Sequence, residues 1–407
     1  MSEVRPDRGL NRNQGIRLSP GTGPFMVELP YGRTPYPLDL AGREYTLVLP
    51  TSLPSPQPLG SLLEAALDAP IGRPPLEAMV SSGARITLIV SDPSRAEPRA
   101  QLVAAIQARL PDVRWTLAIA TGTHGPCKLD ALGIPADVLA NATLVNHDGH
   151  LDSDLVDLGV TPRGTPVRVH RSVTDADLVV ATGCIRPHYF AGFGAGVKAI
   201  FPGLGEARAI RINHTLKTHP RSRAGIVDGN PCREDLEDAF RRVPTPTFLV
   251  NGVNAPDQRI HAAVAGDPLD AFRAGASLAR AWFSARAPRA PLVIASDALP
   301  VTASLYQAAK IAAAVAPLVT EGGTIAIVAE CCDGVGPLEV VNEAILRIGV
   351  LPRLPVGARV RLISGLDRAT VEATLVEYAA SVSVVLDETT GPVVVIPHAS
   401  QLLFEAP

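Results

Sequence analysis

Along much of the chain the apolar positions fall in short, β-branched runs that alternate with longer Ala- and Leu-rich segments, with polar or glycine-bearing turns between them. Residues 85–90 (RITLIV) predict a strand and 98–110 the helix after it; 115–120 predict the next strand and 129–139 the next helix. The apolar run 142–147 follows, then a buried strand at 178–181 and a helix at 206–217. Further on, 291–296, 323–328, 358–363 and 382–385 predict strands, with helices at 304–315 and 338–348 between the first three. Strands alternating with helices imply an α/β fold of mostly parallel sheets flanked by helices. Such sheets bind ligands in the loops beyond the carboxyl ends of their strands.

A length of 407 residues with 46% hydrophobic content suits two domains. The Pro- and Arg-rich segment 285–291 predicts the linker, giving an N-terminal catalytic and cofactor-binding domain at 1–287 and a smaller α/β domain at 288–407. A further strand at 391–395 is expected to return to the first domain, and the active site is expected in the cleft between the two.

The loops beyond the strands carry the candidate chemistry. The first holds Ser91, Asp92, Pro93, Ser94 and Arg95. Asp92 and Arg95 suit the hydroxyl and carboxylate of a small substrate, and equally suit the capping of the next helix and a mutual ion pair. The second loop presents His124, whose near-neutral pKa fits general acid and base work. The stretch from Gly183 to His214 (GCIRPHYFAGFGAGVKAIFPGLGEARAIRINH) then sets His188, Lys198 and His214 among Gly192, Gly194, Gly196, Gly203 and Gly205. Glycine at that density lets a ligand approach the backbone and frees N–H groups for an anion. Of 37 Lys and Arg residues only Lys128, Lys198, Lys217 and Lys310 are lysines, so Lys198 in a Gly-rich loop points to a need for an amine that can lose its proton and act as a nucleophile. His147, His150 and His170 lie in a turn-rich, charged segment and are expected to be non-catalytic.

Composition narrows the class. A net charge of -3 gives no long-range attraction for nucleic acid or an anionic membrane. No apolar run is long enough to span a bilayer, and residues 1–24 are polar without an apolar core, so no signal peptide is expected there. Five cysteines without metal-knuckle spacing fit a reduced, cytoplasmic setting.

The order TGTHGP, then GCIRPHYFAGFGAGVKAIFPG, then INH resembles the nickel-dependent lactate racemase family, the LarA-like 2-hydroxyacid racemases and epimerases. The ten residues from His188 to Lys198 and the sixteen from Lys198 to His214 match the family's spacing, as do the segments 225–231 (GIVDGNP), 305–310 (LYQAAK) and 329–336 (AECCDGVG). The resemblance runs from about residue 40 onward. It implies a racemase or epimerase that inverts the C2 carbinol of a 2-hydroxy acid by reversible hydride transfer to a nickel-pincer nucleotide, a pyridinium-3-thioamide-5-thiocarboxylate mononucleotide attached to Lys198. Gly194 and Gly196 would lie against that cofactor, His214 would ligate nickel, and His124 and His188 would be the two acid/base residues. Asp92, Arg95, Tyr306, Gln307 and Lys310 would hold the substrate, and proteins that build the cofactor would be partners. Gly125 replaces the family's usual arginine, and Gly194 and Ala195 replace a serine and a glycine, which puts lactate itself in question more than the cofactor.

Three other readings compete. A nicotinamide-dependent 2-hydroxyacid dehydrogenase would suit the fold, but no G-x-G-x-x-G follows a strand with an acid about twenty positions on. A metal hydrolase built on His124, His188 and His214 leaves the Lys198 loop without a purpose, and a non-enzymatic binding protein needs none of these groups together.

Overall fold

A computed structural model of the chain describes residues 26–50 and 53–404, together with the backbone of the strand Ile16–Leu18. The expectation of no leader in 1–24 otherwise lies outside the described residues. The chain divides into two compact units, Leu53–Ala281 and a second made of Met1–Ser52 with Trp282–Pro407.

In the Leu53–Ala281 unit six strands form one sheet in the order Ile260–Gly266, Thr247–Asn254, Leu178–Ile185, Arg85–Ser91, Arg114–Ala120, Thr143–Asn146. Every neighbouring pair is parallel except the first. The central strands are nearly continuous runs of buried residues because both faces are covered. Leu88 and Val90 pack with Leu102 and Ile106 on one face, while Ile89 packs with Val179, Ile200 and Ile210 on the other. From the Arg85 strand the chain builds outward in one direction, then returns at the Leu178 strand to build in the other. The order therefore reverses between these two strands, which is where a doubly wound sheet opens a crevice. Ala181 lies opposite Ile89, so the loop carrying Asp92 and Arg95 and the loop carrying Arg186 and His188 leave the sheet side by side.

The helix expected at 129–139 is two short pieces, Leu129–Leu132 and Ala136–Ala140. Gly133 takes a left-handed conformation (φ 67°) and Pro135 has no N–H to donate, so the first turn cannot continue.

The other unit holds a seven-stranded sheet in the order Ile16–Leu18, Tyr45–Leu47, Val393–Ile396, Ala290–Ser296, Val319–Val328, Arg359–Ile363, Glu377–Tyr378. The first pair is antiparallel and the others are parallel. Four expectations change here. The N-terminal segment belongs to this unit and not to a domain spanning 1–287, because Tyr45–Leu47 pairs with Val393–Val395 and the hairpin Met26–Leu29/Tyr36–Asp39 buries Leu29 and Leu38 in a cluster with Ile294 and Val328. The expected linker is partly strand, since Ser284–Ala285 pairs with Leu403–Phe404. The strand near the end stays in this sheet, between Tyr45–Leu47 and Ala290–Ser296, and does not return to the first domain. The run at 382–385 is not a strand: Val382–Asp387 is a helix whose N-cap Ser381 accepts from the Val384 N–H and which buries Val382, Val385 and Leu386 at helical spacing.

The helix Leu305–Val315 buries Leu305, Ala308, Ala309 and Ala312. Its first free N–H groups, on Leu305 and Tyr306, donate to the carbonyls of Gly334 and Val335 at 3.1 and 3.0 Å, so the loop 329–336 caps this helix with backbone. Among the described residues no helix is long and apolar enough to cross a membrane.

Candidate active site

The loops after the adjacent strands Arg85–Ser91 and Arg114–Ala120 meet in a histidine–carboxylate pair. His124 Nδ1 lies 3.2 Å from Asp92 Oδ2, and the other Asp92 oxygen accepts from the Ser94 N–H at 2.8 Å. Burial alone would lift the Asp92 carboxyl, yet the hydrogen bonds from His124 and Ser94 outweigh it and hold it at about 2. An ionised Asp92 needs a donor, so His124 carries its proton on Nδ1 and leaves Nε2 with a lone pair. Asp92 is thereby committed to His124 and to its own turn, and it forms no pair with Arg95.

The Leu178 strand delivers the chain into a short hairpin, Pro187–His188 against Gly192–Phe193. Phe190 is its hub: the His188 ring lies edge-on at 4.6 Å, the His214 ring at 4.9 Å, and Lys198 Nζ 5.8 Å from the centroid. His188 Nδ1 accepts from the Ala191 N–H at 3.2 Å, so the neutral ring carries its proton on Nε2, the reverse of His124. Burial, then the charge of Lys198, then that of Arg95, push His188 well below its ordinary value.

Lys198 sits in the single turn Gly196–Ala199. A Cβ on Gly196 (φ +66°) would come within 2.6 Å of the Phe272 ring and 2.9 Å of Arg233 Nη2, so this position requires glycine. Gly194 differs, its nearest neighbours being backbone oxygens at 3.6 and 3.7 Å, which is ordinary contact. The turn is pinned from beneath by buried Asn251, whose Oδ1 accepts from the Gly196 N–H at 2.9 Å. Burial, followed by the charge of Arg95, brings the Lys198 amine from 10.5 down to about 7.

His214 lies on the helix Ala207–Thr215. Burial and the Lys198 charge hold it at about 4, and its buried Nδ1 has no hydrogen-bond partner among the described residues. The preceding Asn213 is fully buried and donates to Asp235 at 2.8 Å, and Asp235 also accepts from the hydroxyls of Thr161 and Thr165. That network fixes the helix that carries His214.

The structure thus gathers Asp92, Arg95, His124, His188, Lys198 and His214 with Gly194 and Gly196 in one unit. Tyr306, Gln307 and Lys310 form a cluster in the other unit, where Lys310 Nζ donates to Gln307 Oε1 at 2.7 Å and lies 4.5 Å from the Tyr306 ring centroid. His147 is buried against His170 and bonds the Gly205 carbonyl at 3.0 Å, a structural placement. Four residues were missed. Phe190 and Arg186 stand inside the Gly-rich stretch but carry no chemistry of their own in the sequence. Asn251 and Arg233, distant in the chain, give no signal beyond the motif that precedes Arg233.

The lactate racemase N-terminal domain family matches residues 31–225 of the chain. The chain is 31% identical over 283 residues to the lactate racemase of Lactiplantibacillus plantarum, which covers 67% of this chain and 66% of that one. The chain belongs to the lactate racemase family. It is therefore an isomerase, and the resemblance carried by the motifs around His124 and Lys198 is borne out. It is also 29% identical over 322 residues to the lactate racemase of Thermoanaerobacterium thermosaccharolyticum, covering 76% of this chain and 75% of that one. The fold is that of the lactate racemase apoprotein from the same organism, with a TM-score of 0.82 at 24% identity over 93% of this chain and 100% of that one. A Thermotoga maritima protein shares the fold at a TM-score of 0.63 and 15% identity, over 87% of this chain and 100% of that one.

Proposed function

We propose that the chain inverts C2 of a small 2-hydroxy acid, using a nickel-pincer nucleotide tethered to Lys198. The observation that carries this reading is Lys198 itself, an amine held at about 7 inside a turn that requires glycine. At neutral pH a large share of it is the free nucleophile that tethering needs. His214 fits the role of nickel ligand, because a ring kept neutral down to about 4 offers a nitrogen lone pair throughout the physiological range. When bound, the group would supply a hydride acceptor beside C2, so that no carbanion has to form.

The histidines divide the proton work. His124, with Asp92 fixing the proton on Nδ1, takes the hydroxyl proton at Nε2. His188 donates its Nε2–H to the substrate oxygen. For the mirror-image substrate the roles exchange, which requires His188 to release the Ala191 N–H and present a lone pair at Nε2. A single neutral hydrogen bond is worth about 1 kcal/mol, so that exchange is accessible. Tethering also removes the ammonium charge of Lys198, the largest charge acting on His188 and His214, and so returns basicity to both rings. Arg95 holds the substrate carboxylate and keeps the 2-oxo intermediate from leaving.

The test is racemisation of a 2-hydroxy acid deuterated at C2, run in ordinary water with the loaded enzyme. Product that keeps its deuterium supports hydride transfer, and washout of the label to solvent contradicts it. The metal-hydrolase reading gains no support, since among the described residues no three His, Cys, Asp or Glu side chains gather to hold a metal ion.

A further inference from the structure

Arg186 and Arg95 leave the carboxyl ends of adjacent parallel strands at the order reversal. The Arg186 carbonyl accepts from the Gly194 N–H at 2.8 Å, which pins its backbone to the Gly-rich loop, and Pro187 then opens the hairpin that carries His188. Among the described residues neither guanidinium has a hydrogen-bond or ion-pair partner for its side chain. Arg186 is half-buried and Arg95 exposed, whereas the buried arginines of this unit are compensated: Arg233 bonds Glu237 at 3.1 Å, and Arg99 bonds the Ser91 carbonyl and the Asp92 carbonyl. The Asp92 carboxylate is already taken by His124 and Ser94.

We infer that the site is built for a 2-hydroxy acid bearing a second anionic group, held by Arg186 beside the carboxylate held by Arg95. This rests on the racemase reading above. Once Lys198 is tethered it is neutral and the two guanidinium charges remain, with burial and the Arg95 charge both acting against the Arg186 cation. A monocarboxylate held by Arg95 leaves the half-buried Arg186 unpaired, whereas a dianion answers both. The second group is a carboxylate or a phosphate, since either meets a guanidinium fork in the same way.

The experiment uses the loaded enzyme and its Arg186→Gln and Arg186→Lys variants, with malate, 3-phosphoglycerate and lactate as substrates and intact mass to follow the adduct. The expected result is a kcat/KM at least about 10-fold higher for malate or 3-phosphoglycerate than for lactate. In R186Q that ratio falls by roughly 10- to 100-fold, while R186K keeps part of it. The better of the two dianions identifies the second group. A wild type faster on lactate overturns the inference, as does an R186Q chain that loses the adduct mass, which would assign Arg186 to the nucleotide phosphate. An equal loss on all three substrates in R186Q also overturns it. A wild type that carries adduct and nickel yet racemises none of the acids brings down the racemase reading and this inference with it. A wild type active on lactate alone removes only the inference.

Discussion

Lys198 shows how one residue's environment sets both chemistry and stability. Its amine is at about 7 when folded and near 10.5 when unfolded, so the unfolded chain holds that proton more tightly and folding stability rises with pH between those values. Lys198→Met removes the burden. Its melting temperature is expected above wild type, most at pH 7 and below, with the difference closing toward pH 10.5; scanning fluorimetry across pH checks this. The same variant removes a positive charge from His188 and His214, so NMR titration of their ring protons should find both shifted upward toward 6.5, whereas unmoved values would contradict the coupling. Asp92→Asn leaves His124 free to choose the wrong tautomer, and kcat is expected to fall on the order of 100-fold with a smaller change in KM. Lysine and histidine were legible in the sequence because they stood out against arginine and glycine. The pairing of Asp92 with His124 was not, since 32 positions separate them and only adjacent parallel strands bring them together.

At the scale of elements, the turn and the helix that present Lys198 and His214 depend on neighbours far away in sequence. Gly196→Ala places a Cβ against Phe272 and Arg233 in a left-handed conformation, and about 2 kcal/mol or more of stability should be lost, read from denaturant melts. Asp235→Ala leaves Asn213, Thr161 and Thr165 without their acceptor, at a cost of about 3 kcal/mol by the same measurement. The parallel strands were legible because burial on both faces leaves continuous apolar runs. The β-branched run at 382–385 misled for the same reason: its valines look like a strand, yet Ser381 caps a helix that buries Val382, Val385 and Leu386. Local composition could not separate the two outcomes in so short a run.

At the scale of the whole chain, alternation of strands and helices gave the α/β class, but pairing between sequence-distant strands decided the division into units. No local signal ties Tyr45–Leu47 to Val393–Ile396, and so the N-terminal segment was assigned to the wrong unit. Deleting residues 1–52 should strip Leu29, Leu38 and Leu40 from the core of the Trp282–Pro407 unit, with a loss of about 5 kcal/mol or more visible as reduced soluble yield and melting temperature. An intact 53–407 chain as stable as wild type would contradict the division described here. Family membership fixes the enzyme as an isomerase, and the tether at Lys198 is the claim on which the mechanism turns. Intact-protein and peptide mass spectrometry with nickel analysis, on chain made in cells that also carry the cofactor pathway, tests it most directly. An adduct confined to the Lys198 peptide, with nickel equimolar to chain and both absent from Lys198→Arg, is the expected result; an unmodified wild-type mass, or an adduct that survives in Lys198→Arg, would contradict it.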